Sequence, residues 1–451
     1  MTRLILLAAL ALVSLLAGSS SRADEWPCFQ HDPCHSGATS HDLTLPLAVR
    51  WEKEIGWSTS QAIAVGGKLF LGRWSGDVLC LDQKTGDVLW THQTSGPVLF
   101  SACVDDGRVF IGSEDGGIYC LSTAGRLLWK FSTGEPIWSS PVAADGLVFC
   151  GSKDGKLYAL RASDGRQAWA HDFGSPVWSS PAYHSGVVFC GSKHGAFAAL
   201  DARTGRPRWT FQTYGWMANN SPSVADGRVF VPALHQQFLP ETGEWHIWTQ
   251  GAGKIQQVLA EQRRTACFFC LDEQTGARRW EYPTPEQVLR KTQEVDAFGN
   301  PVSPLFCAAG VTPTLAAGRI YLDATSYPFG DGSRQLVVLE AASGRLLAQS
   351  RTPETGLFAS PAVASQVLVA PRFCLARTNA FDPVTGKHLG GALGRTPRLD
   401  TKGHTGYGIQ FMGAPSCADG VLFVGGGIRH GEAAGNGYVR AFAPAPDRRQ
   451  R

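Results

Sequence analysis

The sequence predicts an all-β protein, an eight-bladed β-propeller built from four-stranded antiparallel blades. The main observation is a repeat of about 40 residues, a period typical of propellers and related repeat folds. The composition agrees, because 52 glycines and 14 tryptophans suit short strands joined by tight turns and packed on aromatic rings. The clearest markers of the repeat are Trp51, Trp90, Trp129, Trp169 and Trp209.

One copy of the repeat reads as four strands. Residues 141–160 and 181–200 align residue for residue at an offset of 40. Asp145-Gly146 separates the first two strands, and an Asp-Gly pair between apolar runs predicts a tight hairpin. The middle strands are apolar on both faces, which predicts that other sheets cover each sheet on both sides. The predicted strands are Pro141–Ala144, Leu147–Ser152, Lys156–Arg161 and the strand around Trp169.

The repeat occurs eight times, but its last copy is incomplete. The eighth copy ends at Ala441-Phe442 without a tryptophan strand, whereas the strand around Trp51 has no blade of its own. Pairing these two ends would close the ring and leave no open sheet edge. Seven blades is the alternative. The eight copies begin near Gln61, Ala102, Val142, Ala182, Ser223, Thr314, Ala362 and Ser416.

The N-terminus has the pattern of a secretory signal peptide. Arg3 precedes an apolar run from Leu4 to Ala17, and Ser21-Arg22-Ala23 predicts cleavage near Ala23. The apolar run is too short to span a bilayer comfortably, and no cysteine follows it to carry a lipid. We therefore expect a periplasmic or secreted protein without membrane insertion. The expected divisions are a signal peptide at 1–23, a strap at 24–47, the propeller at 48–442 and a tail at 443–451.

The charge balance argues against nucleic acid as a partner. Charged residues make up 18% of the chain and the formal net charge is +3. No basic stripe of the kind that follows a phosphate backbone is visible.

Three repeats resemble a known motif. Residues 80–90 read Cys-Leu-Asp-Gln-Lys-Thr-Gly-Asp-Val-Leu-Trp, and 199–209 and 270–280 follow the same pattern. They resemble the tryptophan-docking motif, A-x-D-x-x-T-G-x-x-x-W, of the PQQ-like propeller repeats. These repeats occur in quinoprotein alcohol dehydrogenases and in the BamB outer-membrane assembly factor. The resemblance covers about 48–442 and weakens late, since Ala348 and Gly390 replace the tryptophan.

The resemblance implies the fold more specifically than the activity, because enzymes and non-enzymes share the motif. The dehydrogenases hold PQQ against a disulfide between adjacent cysteines, above a calcium ion bound by Glu, Asn and Asp. No two cysteines are adjacent here, and the nearest pair is Cys267 and Cys270. We therefore predict no cofactor, no metal and no catalytic residues. PQQ with calcium belongs only to the alternative hypothesis.

Six insertions interrupt the later repeats. All of them join second to third strands or a fourth strand to the next first strand. In an antiparallel meander these connections emerge on one face of the ring, which we call the loop-bearing face. Long loops on a rigid scaffold are frequent binding sites. The insertions are residues 232–266, 281–309, 323–334, 371–379, 390–412 and 425–436.

Candidate binding residues fall on this face in two groups. Aromatic residues just before the innermost strands would ring the mouth of the central channel, either as a platform for a ligand or as a plug that packs the blades. They are Trp57, Phe100, Trp138, Trp178, Trp216 and Phe358. The insertions add Trp245, His246, Trp248, Arg372, His404, Tyr407, Arg429 and His430.

Cys28 and Cys34 are candidates for a disulfide in the strap, since thiols of exported proteins often pair. A metal site with His31, His35 and His41 is the less favoured alternative. The strap, which begins Glu25-Trp26-Pro27, is expected to pack on the propeller.

Taken together, these features favour an exported, non-catalytic scaffold or binding protein of the cell envelope. It would use the loop-bearing face over the later blades to bind an envelope protein or a glycan. The alternative is a PQQ-dependent or related oxidoreductase that acts on an alcohol or a sugar. A glycan hydrolase would need converging carboxylates, and the pattern does not indicate them.

Overall fold

The computed structural model has the predicted architecture, eight four-stranded antiparallel blades in a ring. In the described part of the chain, there is no helix long and apolar enough to cross a membrane. The described residues are 25–213, 221–233, 236–239, 244–247, 268–282, 312–325, 334–352, 360–370, 379–384, 388–391, 410–412, 414–428 and 437–445.

The blades are numbered in chain order, and each runs from an inner strand near the axis to an outer strand at the rim. Blade 1 comprises Ile63–Val65, Lys68–Gly72, Asp77–Asp82 and Val88–Gln93, and blade 2 comprises Cys103–Asp105, Arg108–Gly112, Gly117–Ser122 and Leu127–Ser132. Blade 3 comprises Val142–Ala144, Leu147–Gly151, Lys156–Arg161 and Gln167–Asp172, and blade 4 comprises Ala182–His184, Val187–Gly191, Ala196–Asp201 and Pro207–Gln212.

Blades 5 to 8 follow the same order. Blade 5 comprises Ser223–Ala225, Arg228–Pro232, Phe268–Asp272 and Arg278–Tyr282, and blade 6 comprises Thr314–Ala316, Arg319–Thr325, Arg334–Glu340 and Leu346–Thr352. Blade 7 comprises Ala362–Ala364, Val367–Ala370, Asn379–Phe381 and His388–Gly391, and blade 8 comprises Ser416–Ala418, Val421–Ile428, Gly437–Pro444 and Leu47–Glu54.

The ring closes as the sequence predicts. Leu47–Glu54 pairs antiparallel with Gly437–Pro444 and forms the outer strand of blade 8. Glu52 on the closing strand forms an ion pair with Arg440 on its neighbour. The two ends of the propeller are thereby joined within one sheet.

Local turn chemistry agrees with the sequence as well. Asp145 and Gly146 both have positive φ, 51° and 74°, as a tight hairpin turn requires. The middle strands are buried on both faces, as in Asp77–Asp82, where five of six residues are buried. This burial reflects the stacking of each blade between two neighbours.

Some predicted insertions begin as strand extensions. Thr325 pairs with Arg334, so the second hairpin of blade 6 continues into the insertion predicted at 323–334. In blade 8, Gln410–Met412 pairs with the end of Val421–Ile428. Within 232–266, Gln236–Leu239 pairs with Glu244–Ile247 as a small hairpin.

Tryptophan docking joins consecutive blades. The indole nitrogen of Trp129 donates to the carbonyl of Ala162 in the next blade at 3.0 Å. Its ring packs against Gly165 of the same turn. The same relation recurs for Trp51, Trp90, Trp169, Trp209 and Trp280, with hydrogen bonds of 2.9 to 3.2 Å. The glycine of each motif therefore accommodates the tryptophan of the preceding blade.

A belt of buried serines joins the blades close to the axis. The backbone N–H of Ser101 donates to Oγ of Ser140 at 3.1 Å, and that of Ser140 donates to Oγ of Ser180 at 2.9 Å. Each serine thus satisfies a backbone donor of the preceding blade, which the burial of these groups requires. In the other described links of the belt, the backbone N–H of one residue again donates to a serine Oγ; these links run from Gln61 to Ser101, from Ser180 to Ser221, and from Thr312 to Ser360.

The N-terminal segment, residues 26–39, winds around the axis along the inner strands. Ala64 of blade 1 donates its N–H to the carbonyl of Trp26 at 3.0 Å. The segment ends at Ala38–Thr39, which pairs in parallel with the inner strand of blade 7. The other inner-strand donors and their carbonyl acceptors are Val104 to Pro27, Tyr183 to Pro33, Val224 to Cys34, Leu315 to Ser36 and Val363 to Gly37.

Candidate functional site

Over blades 1 to 4, the loop-bearing face is described at the mouth of the channel. Four of the predicted mouth residues, Trp57, Phe100, Trp138 and Trp178, lie there. Trp245 and His246 lie on Glu244–Ile247, but their side chains are outside the described residues. The candidates outside the described residues are Trp216, Trp248, Phe358, Arg372, His404, Tyr407, Arg429 and His430.

Trp57 stacks on a second tryptophan at the mouth. Its ring lies 4.0 Å from that of Trp74, with 7° between the ring planes. The backbone N–H of Trp74 also donates to the carbonyl of Trp57 at 3.0 Å. Trp74 lies in the turn between the second and third strands of blade 1, so the inner strand and this turn are joined at the mouth.

Trp138 and Trp178 form a second aromatic pair, over blades 3 and 4. Their ring centroids are 5.0 Å apart, with 44° between the planes. The ammonium of Lys153 lies 4.3 Å from the centroid of Trp138, and that of Lys193 lies 4.7 Å from the centroid of Trp178. Both distances are those of cation–π contacts, which hold the two positive charges at the rim of the mouth.

A carboxylate completes this cluster. Oε1 of Glu114 accepts a hydrogen bond of 2.6 Å from the indole nitrogen of Trp138. We define the mouth cluster as Trp57, Trp74, Glu114, Trp138, Lys153, Trp178 and Lys193. Its contacts join blades 2, 3 and 4 through Glu114, Trp138 and Trp178, and the stacked pair of Trp57 and Trp74 lies on blade 1.

Sequence reasoning missed four members of the mouth cluster. Trp74, Glu114, Lys153 and Lys193 occupy the same repeat position, the second residue after the end of the second strand. The signal was available, because aligning this turn across the repeats shows a variable, large side chain at one fixed place. Only the folded blades show that this position contacts the aromatic residues before the inner strands.

The described mouth presents aromatic rings, two ammonium groups and one carboxylate. Among the described residues, no three His, Cys, Asp or Glu side chains are grouped so that they could hold a metal ion. Glu114, the carboxylate of the mouth cluster, is engaged by Trp138. Calcium-bound PQQ needs a convergent set of oxygen ligands, and of the mouth cluster only Glu114 carries a carboxylate.

The predicted link between Cys28 and Cys34 is not formed in the structure, where both thiols are free. Sγ of Cys34 donates to the carbonyl of Tyr183 in blade 4 at 3.3 Å. Cys28 lies beside blade 2, in a buried cluster with Cys103. The physical reason is the path of the N-terminal segment, because the chain between the two cysteines passes from one blade to another. Burial raises the pKa of Cys34 to about 12.

His35 of the same segment is a buried structural residue. Its Nδ1 lies 2.8 Å from the carbonyl of Pro222, with which it makes a hydrogen bond. Burial lowers the pKa of His35 to about 4, so the ring is neutral at neutral pH. Its ring also lies edge-on to that of Phe29, with 5.3 Å between the centroids, as expected for a packing role.

A cavity on the opposite face lies between blades 4 and 5. It has a volume of about 590 Å³, and its lining includes the strand residues His184 and Arg208 and the turn residue Glu273. Nδ1 of His184 lies 2.5 Å from Oε1 of Glu273, and Arg208 pairs with Asp201 at 2.9 Å. Its charged lining groups are thus largely paired with one another.

Comparison with known proteins agrees with this architecture. A family model described as outer membrane protein assembly factor BamB matches residues 48–137, 75–177 and 170–248. The chain also superposes on BamB from Moraxella catarrhalis, with a TM-score of 0.57 and 15% identity over 88% of this chain and 97% of that one. The chain has the fold of a PQQ-like β-propeller, and the family model matches it over residues 48–248. The match to the family model covers the regular blades and continues into the first large insertion.

Other PQQ-like β-propellers of similar structure are enzymes. Quinohemoprotein alcohol dehydrogenase from Comamonas testosteroni superposes with a TM-score of 0.64 and 15% identity, over 96% of this chain and 83% of that one. Quinohemoprotein alcohol dehydrogenase ADHIIG from Pseudomonas putida HK5 superposes with a TM-score of 0.63 and 13% identity, over 94% of this chain and 82% of that one. At such identities the likeness establishes the fold alone. No curated relative matches the chain at the level of sequence.

Proposed function

We propose that this PQQ-like β-propeller is an exported, non-catalytic scaffold of the cell envelope that binds a protein on its loop-bearing face. The signal-peptide pattern that ends near Ala23 supports export. The family model named for an outer-membrane assembly factor supports a protein-binding role in the envelope.

The observation that carries the proposal is the position of the N-terminal segment on the inner strands, close to the hairpins opposite the loop-bearing face. The N-terminal segment lies along inner strands close to their first hairpins, as at Ala64, which comes two residues before the Gly66-Gly67 turn. A partner that approaches the axis therefore meets the mouth cluster on the loop-bearing face. The predicted insertions emerge on the same face.

The packing of the mouth cluster favours a docking surface over a cofactor site. Trp57 and Trp74 stack on each other, and Lys153 and Lys193 lie over the rings of Trp138 and Trp178. These contacts fill space that a flat cofactor would otherwise take. Tryptophan and cationic side chains on a rigid surface are typical of protein-binding hot spots. Among the described residues, no specific observation favours the oxidoreductase alternative.

The charge of the mouth cluster suggests what the partner presents. Lys153 and Lys193 place two positive charges over blades 3 and 4, with their ring contacts limiting side-chain freedom. An acidic segment on an envelope protein would complement them. A glycan is the other class of partner that the sequence allows, and the experiment below separates the two.

The test is retention of an envelope partner by the immobilised chain. We expect the wild type to retain a protease-sensitive partner, and the double substitution K153A/K193A to weaken retention by about tenfold, which corresponds to ~1.4 kcal/mol. Arg203→Ala is the matched control, because Arg203 is an exposed cation of blade 4 on the opposite face. Deletion of 232–266 tests the contribution of the first insertion.

Three outcomes would contradict the proposal. Equal loss of retention in R203A would mean that the loop-bearing face is not the binding surface. Retention that survives protease but is lost after glycosidase treatment would identify a glycan as the partner. A spectral change with PQQ and calcium, followed by dye reduction with an alcohol, would favour the enzyme instead.

A further inference from the structure

Two thiols from distant parts of the chain meet beside blade 2. Cys28 belongs to the N-terminal segment, and Cys103 is the first residue of the inner strand of blade 2. Both side chains are buried, with 2% and 3% exposure, and both belong to one apolar cluster. The neighbouring Cys103 thiol also raises the pKa of Cys28 well above its usual range.

The backbones around these thiols are held together independently of the sulfur atoms. The N–H of Val104, next to Cys103, donates to the carbonyl of Pro27, next to Cys28, at 2.7 Å. A disulfide requires Cα atoms within about 7 Å of each other. The backbone hydrogen bond joins the residues next to the two cysteines, and both cysteine side chains belong to one buried cluster, so the segment and the inner strand already lie side by side where such a bond would form.

We propose that Cys28 and Cys103 form a disulfide in the exported protein, which joins the N-terminal segment covalently to the inner strand of blade 2. The inference goes beyond the binding role and relies only on the export step of the proposed function. An oxidising compartment is where such a bond persists. Cys34 remains a free thiol, which donates a hydrogen bond to the carbonyl of Tyr183.

The reaction is an ordinary thiol–disulfide exchange. A thiolate of one cysteine attacks a disulfide-bonded oxidant, such as oxidised glutathione or an oxidised thiol–disulfide oxidoreductase, and forms a mixed disulfide. The second cysteine then displaces the oxidant's remaining thiol. The protein loses two electrons and two protons, and the oxidant gains them as two thiols.

The exchange takes place while the chain folds. In the folded protein, the neighbouring Cys103 thiol and the burial of the Cys28 thiol hold the pKa of Cys28 well above its usual range. The thiolate that must attack is therefore scarce once the segment has docked. Before docking, both sulfurs are accessible to the oxidant.

The position of the bond explains what it would do. The N-terminal segment is held to inner strands mainly by backbone hydrogen bonds, from Trp26 on blade 1 to Gly37 on blade 7. A covalent bond near its beginning anchors that path at blade 2. The bond also closes a long loop, because Cys28 and Cys103 are 75 residues apart, and it thereby restricts the unfolded chain.

The test is disulfide mapping of the purified chain after refolding in a glutathione redox buffer. Free thiols are alkylated in denaturant without reductant, and the digest is analysed by mass spectrometry. We expect one linked pair of peptides, containing Cys28 and Cys103, at two hydrogen masses below their sum. Full alkylation of both cysteines, or a link between Cys28 and Cys34, would overturn the proposal.

Thermal unfolding gives a second readout. Reduction of the wild type should lower Tm by about 5 °C, whereas C28S and C103S should show no reduction-dependent change. Cys34→Ser, on the same segment, is the matched control and should keep the full change. A wild type whose Tm does not respond to reductant would contradict the proposal.

These results are separable from those on the proposed function. A linked Cys28–Cys103 pair in a chain that retains no partner would contradict only the binding role. Partner retention by a chain with both thiols free would contradict only the disulfide.

Discussion

The indole of Trp129 occupies the place where a Cβ atom at Gly165 of the next blade would lie. A Cβ built there would come within 2.6 Å of the ring, and Gly165 also has a φ of +71°. The glycine of the docking motif is therefore required twice, for its backbone conformation and for the space it leaves to the neighbouring tryptophan.

Gly165→Ala should separate these two requirements when it is compared with Gly146→Ala. Gly146 has a similar φ of +74°, but a Cβ there would meet nothing within 4 Å. We expect G146A to cost about 1 kcal/mol for the left-handed backbone, and G165A about 1–3 kcal/mol more for the displaced ring. Urea unfolding monitored by tryptophan fluorescence measures both. Equal losses would mean that the ring moves aside without cost.

Ser140→Ala should destabilise the propeller through a backbone group of the preceding blade. The substitution removes the Oγ that accepts the N–H of Ser101 and leaves that donor buried. An unsatisfied buried donor costs about 1–3 kcal/mol. Ser163→Ala, at an exposed turn of the same blade, should change the free energy of unfolding by less than about 0.5 kcal/mol. An S140A variant as stable as S163A would argue against the serine belt.

His35 should make the protein less stable in acid. Its pKa is lowered to about 4 by burial, whereas the unfolded chain takes up a proton near pH 6.5. The stability that the neutral ring contributes is present above pH 6.5 and is lost as the pH falls towards 4, by up to about 3 kcal/mol. His35→Gln should flatten this part of the profile of unfolding free energy against pH. His194→Gln, on the surface, should retain most of the slope.

Glu52→Ala should weaken the closure of the ring. Arg440 is 6% exposed at its side chain, while Glu52 is 40% exposed and pairs with it across the closing strands. Solvent screening at Glu52 limits the expected loss to about 1 kcal/mol, with a greater loss at low ionic strength. Glu54→Ala, an exposed position on the same strand, is the control and should have little effect on Tm. A loss for E54A equal to that for E52A would remove the specific role of the ion pair.

Predictions from the sequence were most accurate where the signal is local. The turn at Asp145-Gly146 and the strand Lys156–Arg161 are where the repeat pattern places them. The pairing of the Trp51 strand with the last blade followed from counting strands, because a ring needs a partner for every edge. At the mouth, the prediction included Trp57, Trp138 and Trp178 but not the turn residues that contact them.

By itself, the sequence determined the repeat, the number of blades and the way the ring closes. Turn residues and strand periodicity act over a few positions, and copies of one unit must stack alike. The tertiary structure alone decided the path of the N-terminal segment, which brings Cys28 to Cys103 and separates it from Cys34. It also decided that Lys153 lies over Trp138. Such contacts join residues from different strands and blades, and their distance in space follows from ring geometry rather than from spacing along the chain.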